Sequence, residues 1–111
     1  MKPEGKWMIV SQSVFYCSFK LKKGSSVPEF LQAAEKLNDE YISKQKGYIS
    51  WKQLVDGDTW ADFITFETME DVKNFEADAG NSGELAKKFY SFINLNSCRQ
   101  HYFSIEKNYG E

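Results

Sequence analysis

The sequence contains few of the residues that cross-link small proteins or bind metals. It has two cysteines, Cys17 and Cys98, and one histidine, His101. Neither a CxxC pair nor a Cys/His ligand spacing occurs, so a metal site is not expected. Cys98 begins the last predicted strand, far from Cys17 in the middle of the first, so a disulfide is not expected either. Reduced thiols are typical of the cytoplasm, which is the compartment we expect.

Strong charge of one sign and long apolar runs are also absent. The net charge is −2 with acids and bases interspersed, which leaves no basic stripe for nucleic acid. No run approaches the roughly 20 apolar residues of a membrane span, and the polar first residues do not resemble a secretion signal. The Gly-Asn-Ser-Gly stretch at residues 80–83 lacks the Lys-Ser/Thr of a phosphate loop. We therefore expect neither a nucleic-acid nor a membrane partner.

Aromatic residues, by contrast, are abundant. They make up 16% of the 111 residues, which is rich for a core of this size. The rings either build the core or line a ligand cavity or a partner surface, since aromatics are common in both places. The length suits one domain, which we place over residues 13–107, between an irregular lead-in (1–12) and a loose tail (108–111).

Hydrophobic spacing predicts the order strand, helix, strand, strand, helix, strand. Residues 13–22 alternate with period two, which is typical of a half-buried strand. Ser26 and Glu29 have the capping-box spacing of a helix start, and that helix is predicted to reach about Gln45. Thr68 opens a second helix whose buried stripe includes Ala79. A third helical piece runs from Glu84 to about Ile93, and a final strand covers residues 97–107.

The Asp-Gly-Asp turn at residues 56–58 predicts a β-hairpin. The expected pairs are Val55 with Trp60, Gln53 with Asp62, Trp51 with Ile64, and Ile49 with Phe66. Right-handed, short connections then favour an α+β sandwich of βαββαβ topology. Its four-stranded antiparallel sheet has strand order 4-1-3-2, with the helices on one face.

The opposite face of this sheet is expected to be open and partly apolar. It would carry Tyr16, Tyr48, Leu54, Ala61, Phe63, Thr65 and Tyr102. Soluble proteins seldom expose such a patch, so we expect two copies to pair through it as a homodimer.

At this point the chain resembles the dimeric α/β-barrel group, and within it the antibiotic-biosynthesis-monooxygenase-like families. The resemblance covers about residues 13–107. It is most specific over residues 56–72, from the Asp-Gly-Asp turn through Thr-Trp-Ala-Asp-Phe-Ile-Thr-Phe, and over the Phe-Tyr-Ser-Phe-Ile run at 89–93. The resemblance implies a ferredoxin-like fold that pairs into a barrel, in a group that includes cofactor-free oxygenases. Haem-degrading relatives place an Asn on the first strand and a His on the second helix, and this sequence has neither.

Several polar and aromatic side chains are predicted to converge beneath the helices. Asp62 and His101 are the candidate catalytic residues, because a buried carboxylate or an imidazole can take a proton from a phenol. The candidate ligand-binding residues are Trp51, Trp60, Gln53, Tyr41, Asn38 and Arg99. Each has a structural alternative: Asp62 bonded internally, His101 solvated at a sheet edge, and both tryptophans packed in the core.

Two functions remain open. In the first, a homodimer binds a small hydroxylated aromatic or polyketide-like compound and acts as an oxygenase without metal, flavin or other cofactor. In the second, the same dimer is a non-catalytic ligand-binding or interaction scaffold. Free volume beside Trp60 and Asp62 favours the first, and a filled interior favours the second.

Overall fold

The computed structural model describes residues 11–110 of the protein. Over this range the strands and helices follow the predicted order. Their bounds are β1 Ser13–Leu21, α1 Val27–Glu40, a 3₁₀-helix Ile42–Lys44, β2 Tyr48–Asp56, β3 Thr59–Phe66, α2 Met69–Asp78, a second 3₁₀-helix Ala79–Ser82, α3 Glu84–Tyr90 and β4 Ile93–Ser104. Most of the predicted lead-in over residues 1–12, and residue 111 of the predicted tail, lie outside the described residues.

Both longer helices begin at side-chain caps that the sequence predicts. Ser26 Oγ accepts a hydrogen bond from the Glu29 backbone N–H at 3.3 Å. Thr68 Oγ1 accepts one from the Asp71 backbone N–H at 3.0 Å. These bonds satisfy amide hydrogens that have no carbonyl partner in the first turn.

The helices are shorter than their hydrophobic spacing predicts. The first gives way to a 3₁₀-helix well before Gln45. The second ends before Ala79, which is therefore exposed rather than part of the buried stripe. The third ends before Ile93, which instead begins β4. No helix within residues 11–110 is both long and apolar enough to cross a membrane.

The four strands form one antiparallel sheet in the order β2-β3-β1-β4, which confirms the predicted topology. The helices lie on one face, where each contributes a phenylalanine to the core. Phe30 of α1 packs against Trp60, Phe75 of α2 against Phe15, and Phe89 of α3 against Trp51. Phe30 is fully buried, so the core is centred between α1 and the middle of the sheet.

The hairpin register is confirmed along most of its length. Val55 pairs with Trp60, Gln53 with Asp62, and Trp51 with Ile64. The last predicted pair is wrong, because an irregularity between Tyr48 and Ser50 makes Tyr48, not Ile49, the partner of Phe66. A bulge reverses the facing of the residues beyond it. Tyr48 therefore lies beneath the helices, not on the open face, and its hydroxyl donates to Asn38 Oδ1 at 3.0 Å.

Strand β4 differs most from its prediction. It starts at Ile93 rather than at residue 97, and its pairing with β1 is irregular between Ser18 and Lys20. Tyr102 is opposite the core residue Phe15, and its hydroxyl bonds to Glu76 of α2. The prediction that Tyr102 lies on the open face is therefore wrong.

Gly47 connects the first 3₁₀-helix to β2 at a point of very close approach. Its φ is +81°, and a Cβ placed there would lie 2.1 Å from Asp71 Oδ2. Its carbonyl also accepts a hydrogen bond from the Glu67 backbone N–H at 2.8 Å. Glycine adopts this positive φ without strain and has no Cβ that would clash with Asp71, so no other residue fits at this position.

Candidate active site

One row of polar side chains crosses the sheet beneath the helices. Antiparallel partners share a face, and the register aligns Gln53 of β2, Asp62 of β3, Cys17 of β1 and Gln100 of β4. The rows on both sides carry mainly aromatic and aliphatic side chains. Polar groups in such a setting must be paired or functional, because their burial is costly.

Asp62 is the central member of this row. Only 6% of its surface is exposed. Its Oδ1 accepts a hydrogen bond from Trp51 Nε1 at 3.1 Å and another from Gln53 Nε2 at 3.4 Å. Burial raises the pKa of the Asp62 carboxyl from 3.8 to about 7, although both hydrogen bonds act to lower it. An acid with this pKa gives up or accepts a proton near neutral pH.

The second oxygen of Asp62 is differently placed. No described residue donates a hydrogen bond to Oδ2. Oδ1 therefore receives both of the hydrogen bonds that the described residues give to Asp62.

The two predicted tryptophans play different parts. Trp51 packs edge-on against Phe89, with ring centroids 5.7 Å apart, and directs its indole N–H at Asp62. Trp60 packs edge-on against Phe30 at 5.3 Å. Trp51 therefore donates a hydrogen bond to Asp62, whereas Trp60 belongs to the aromatic core next to it.

A cleft of about 200 Å³ ends at the two side chains that bond Asp62. It lies between α1 and β2, and its lining is Leu31, Ala34, Glu35, Asn38, Trp51 and Gln53. Asn38 borders this cleft, and its Oδ1 accepts a hydrogen bond from the Tyr48 hydroxyl. The volume is below the roughly 300–1,000 Å³ of ordinary ligand sites, and neither Asp62 nor Trp60 is among the lining residues.

Tyr41 lies apart from Asp62. Its hydroxyl donates to the backbone oxygen of Asp78, at 2.7 Å, and to the Asp78 carboxylate. Burial, followed by the hydrogen bond and charge of Asp78, raises the pKa of Tyr41 to about 12. This tyrosine ties the end of α1 to the end of α2, so the structure does not place it in the cleft.

His101 and Arg99 lie on the other side of the sheet, and their predicted placement beneath the helices is wrong. His101 is opposite Tyr16, and Arg99 is opposite Ser18. The imidazole stacks on Phe103, with centroids 5.2 Å apart. The Arg99 guanidinium donates to the backbone oxygens of Asn96 and Cys98 at 3.3 and 2.8 Å. The sheet separates both side chains from Asp62.

Cys98 and Tyr90 are related to the polar row although neither is among the residues predicted for the site. Because β4 starts early, Cys98 lies within the strand and adjoins Cys17, with both thiols free. Burial, then the neighbouring Cys98 and Asp62, raises the pKa of the Cys17 thiol to about 12. Ala86 and Tyr90 are four residues apart on α3, so their side chains share one face of that helix. This spacing is the sequence signal from which the placement of Tyr90 could have been predicted.

A metal centre is not formed by the part of the chain that the structure describes. No group of three or more His, Cys, Asp or Glu side chains there is arranged to hold an ion. The chemistry available in the row is therefore that of one carboxyl with a pKa near neutrality, set among indole and amide donors.

Comparison with known proteins places this geometry in a recognisable architecture. No family model and no curated protein matches the sequence. Among solved structures, a dimeric protein of unknown function and ferredoxin-like fold from Bacteroides fragilis aligns with a TM-score of 0.58 at 18% identity, over 85% of this chain and 96% of that one. The chain has a ferredoxin-like fold.

Other proteins with this ferredoxin-like fold have described activities. SnoaB, a cofactor-independent oxygenase from Streptomyces nogalater, aligns with a TM-score of 0.73 at 11% identity, over 92% of this chain and all (100%) of that chain. A proposed antibiotic biosynthesis monooxygenase from Nitrosomonas europaea aligns at 0.69 with 10% identity, over 91% and 96% of the two chains. At these identities the similarity establishes the ferredoxin-like fold alone.

Proposed function

We propose that the protein is a homodimeric, cofactor-independent oxygenase that acts on a small hydroxylated aromatic or polyketide-like compound. The observation that carries the proposal is the Asp62 carboxyl, which is buried, has a pKa of about 7 and accepts hydrogen bonds from described residues at Oδ1 alone. The same architecture in SnoaB, a cofactor-independent oxygenase, supports it.

In this proposal Asp62 is the general base. Its Oδ1 stays bonded to Trp51 and Gln53, which fixes the carboxyl plane, while Oδ2 takes the proton. A base works best when its pKa lies near the working pH, and about 7 meets that condition. The ring of Trp51 and the amide of Asn38 line the cleft and would hold a flat, hydroxylated substrate.

An anthrone-type substrate shows how the reaction balances. Asp62 removes a proton and leaves a carbanion that is delocalised over the rings. The carbanion adds dioxygen, and the resulting peroxide takes a proton back. Loss of water from the hydroperoxide carbon gives a ketone, so that CH2 and O2 become C=O and H2O. Dioxygen is the oxidant, and the protein supplies the base, the orientation and the dry surroundings.

Oxygen uptake with a panel of hydroxylated naphthalenes and anthrones tests the oxygenase. We expect Asp62→Asn to lower uptake about 100-fold or more, because general-base catalysis contributes at least that much. Asp56→Asn, at an exposed acid in the turn of the same hairpin, is the matched control and should retain uptake. Absence of uptake across the panel, or equal uptake in Asp62→Asn, would reject the proposed mechanism.

We also propose that two copies pair through the open face of the sheet. The register aligns Lys52, Phe63, Tyr16 and His101 in one row across that face. Leu54 and Phe103 remain 45% and 49% exposed in the neighbouring rows. Apolar side chains grouped in this way favour burial against a second copy. The ferredoxin-like protein from Bacteroides fragilis is described as dimeric, which supports pairing but does not indicate the face used.

Light scattering coupled to size-exclusion chromatography tests the pairing. We expect a mass of about twice 12.9 kDa at micromolar concentration. Phe63→Glu should yield monomers, because it places a charge in the middle of the apolar rows, whereas Phe63→Leu should stay dimeric. A wild-type monomer at that concentration would contradict the proposal.

The scaffold function keeps one specific observation in its favour. Asp62 Oδ1 is fully used by internal hydrogen bonds, and the cleft beside its two donors is small, at about 200 Å³. An interaction scaffold predicts that none of the aromatic panel changes the Trp51 and Trp60 fluorescence. A non-catalytic ligand-binding protein and an oxygenase both predict saturable quenching, and oxygen uptake separates these two. The cytoplasmic location stays a prediction from the sequence.

A further inference from the structure

A second, smaller cavity lies among the three helices. Its volume is about 20 Å³, close to the space that one water-sized molecule needs. Leu37 and Ile42 form one side, Phe75 the second and Ala86 the third. Its wall is therefore mainly aliphatic and aromatic. Its exposed members, Ala79 and Tyr90, connect it to the surface.

Two of the three hydroxyl groups on the wall are already bonded within the protein. Tyr41 donates a hydrogen bond to Asp78, and Ser82 Oγ donates one to the Ala79 backbone oxygen at 2.7 Å. A buried water needs two to four polar partners, and an apolar cavity without them stays dry and takes up nonpolar gases. The cavity is thus suited to a small nonpolar molecule.

Tyr90 is one of the residues that line this cavity. The charge of Asp62, and to a lesser extent those of Cys17 and Cys98, acts on its hydroxyl. Although 40% of the residue is exposed, burial of its hydroxyl, followed by the charge of Asp62, raises the pKa of Tyr90 to about 12. The phenol therefore stays protonated at neutral pH. No described residue accepts a hydrogen bond from it.

We propose that this cavity binds the dioxygen that is consumed in the reaction at Asp62. The inference rests on the oxygenase function proposed above. It deepens that function by giving the two reactants separate entrances. The organic substrate enters between α1 and β2, and the gas enters between α2 and α3 beside Ala79. Dioxygen is small, nonpolar and needs no hydrogen-bond partner, which matches the lining.

Methyl NMR under dioxygen pressure tests the site directly, because dioxygen is paramagnetic and speeds the relaxation of nearby protons. We expect the methyl groups of Leu37 and Ile42 to relax severalfold faster under dioxygen than under nitrogen. Val14 and Ile64, which are equally buried but do not line the cavity, are the comparators. Enhancement at Leu37 and Ile42 no greater than at the comparators would overturn the proposal.

Filling the cavity supplies a second measurement. Ala86→Leu should abolish the excess relaxation at Leu37 and Ile42, and Ala86→Val, a smaller change, should reduce it. Ala77→Leu, at an exposed position of α2, should leave it unchanged. Excess relaxation without oxygen uptake from any aromatic compound would leave the gas site standing and reject the oxygenase. Uptake without excess relaxation would reject the gas site alone.

Discussion

Replacing Asp62 with asparagine is expected to stabilise the protein at pH 8 by up to about 4 kcal/mol. The carboxyl has a pKa of about 7 in the folded protein against 3.8 in the unfolded chain. A rise of about 3 in pKa corresponds to roughly 4 kcal/mol of folding free energy lost when the group ionises. Asparagine stays neutral and keeps an oxygen for Trp51 and Gln53, so it avoids that loss.

The sign of the pH dependence follows from the raised pKa. Between about pH 4 and pH 7 the folded protein binds the Asp62 proton more tightly than the unfolded chain does. This contribution to stability is complete below about pH 4 and is lost as the pH rises to about 7. Urea denaturation at several pH values from 5 to 8 should show this decline in the wild type. The decline should be absent in Asp62→Asn.

The exposed acid of the same hairpin again provides the control. Asp56→Asn should follow the wild-type pH dependence, because that carboxyl is exposed. A purely structural acid would give the opposite result for Asp62→Asn, namely a loss of stability at every pH. Higher stability together with lost oxygen uptake would mark Asp62 as a residue retained for function at a cost in stability.

Gly47→Ala is expected to destabilise the protein by about 3 kcal/mol or more, whereas Gly57→Ala should cost only about 1 kcal/mol. Both glycines have positive φ, +81° and +64°, so both substitutions carry the same backbone penalty. They differ in space. A Cβ at Gly47 would lie 2.1 Å from Asp71 Oδ2, and one at Gly57 would meet no atom within 4 Å.

The difference between the two variants isolates the steric part of the effect. Asp71 is itself buried, and its backbone N–H is bonded to Thr68, so it has little freedom to move away. Thermal or urea denaturation of both variants under one condition measures the difference. Equal losses would mean that Asp71 moves aside at no cost, against the packing seen here.

The sequence predicts the fold well wherever one face of an element is clearly apolar. In β1 the alternation of Phe15, Cys17 and Phe19 settles the facing, and the Asp-Gly turn settles the register of the hairpin as far as Trp51. Strong local signals of this kind do not depend on distant parts of the chain.

The errors fall at bulges and at the edge strand. Nothing in the sequence marks the irregularity near Tyr48, which reverses that side chain. In β4 the buried face carries Gln100 and Tyr102 while the open face carries His101 and Phe103. The two faces are about equally polar because neither side of an edge strand is completely covered. Hydrophobic periodicity therefore could not assign His101, and the predicted pairing of His101 with Asp62 in one site was wrong.

The candidate site, too, has one part that the sequence predicts and one part that it does not. Asp62 and its two donors could be predicted because the hairpin register alone brings them together. The cavity beside Tyr90 could not, since it depends on how α1, α2 and α3 pack against one another. Side chains that meet only through the packing of separate helices leave no short-range pattern in a sequence.

The acid and both of its hydrogen-bond donors come from one hairpin of adjacent strands, β2 and β3. This hydrogen-bonded unit is thus encoded by a single continuous stretch of the gene. Its raised pKa is not, because burial is the main cause of the rise and the helices lie over this face of the sheet. Transfer of residues 48–66 into another protein of this architecture would therefore carry the acid and its two donors, whereas the helices of the recipient would set the basicity of the carboxyl.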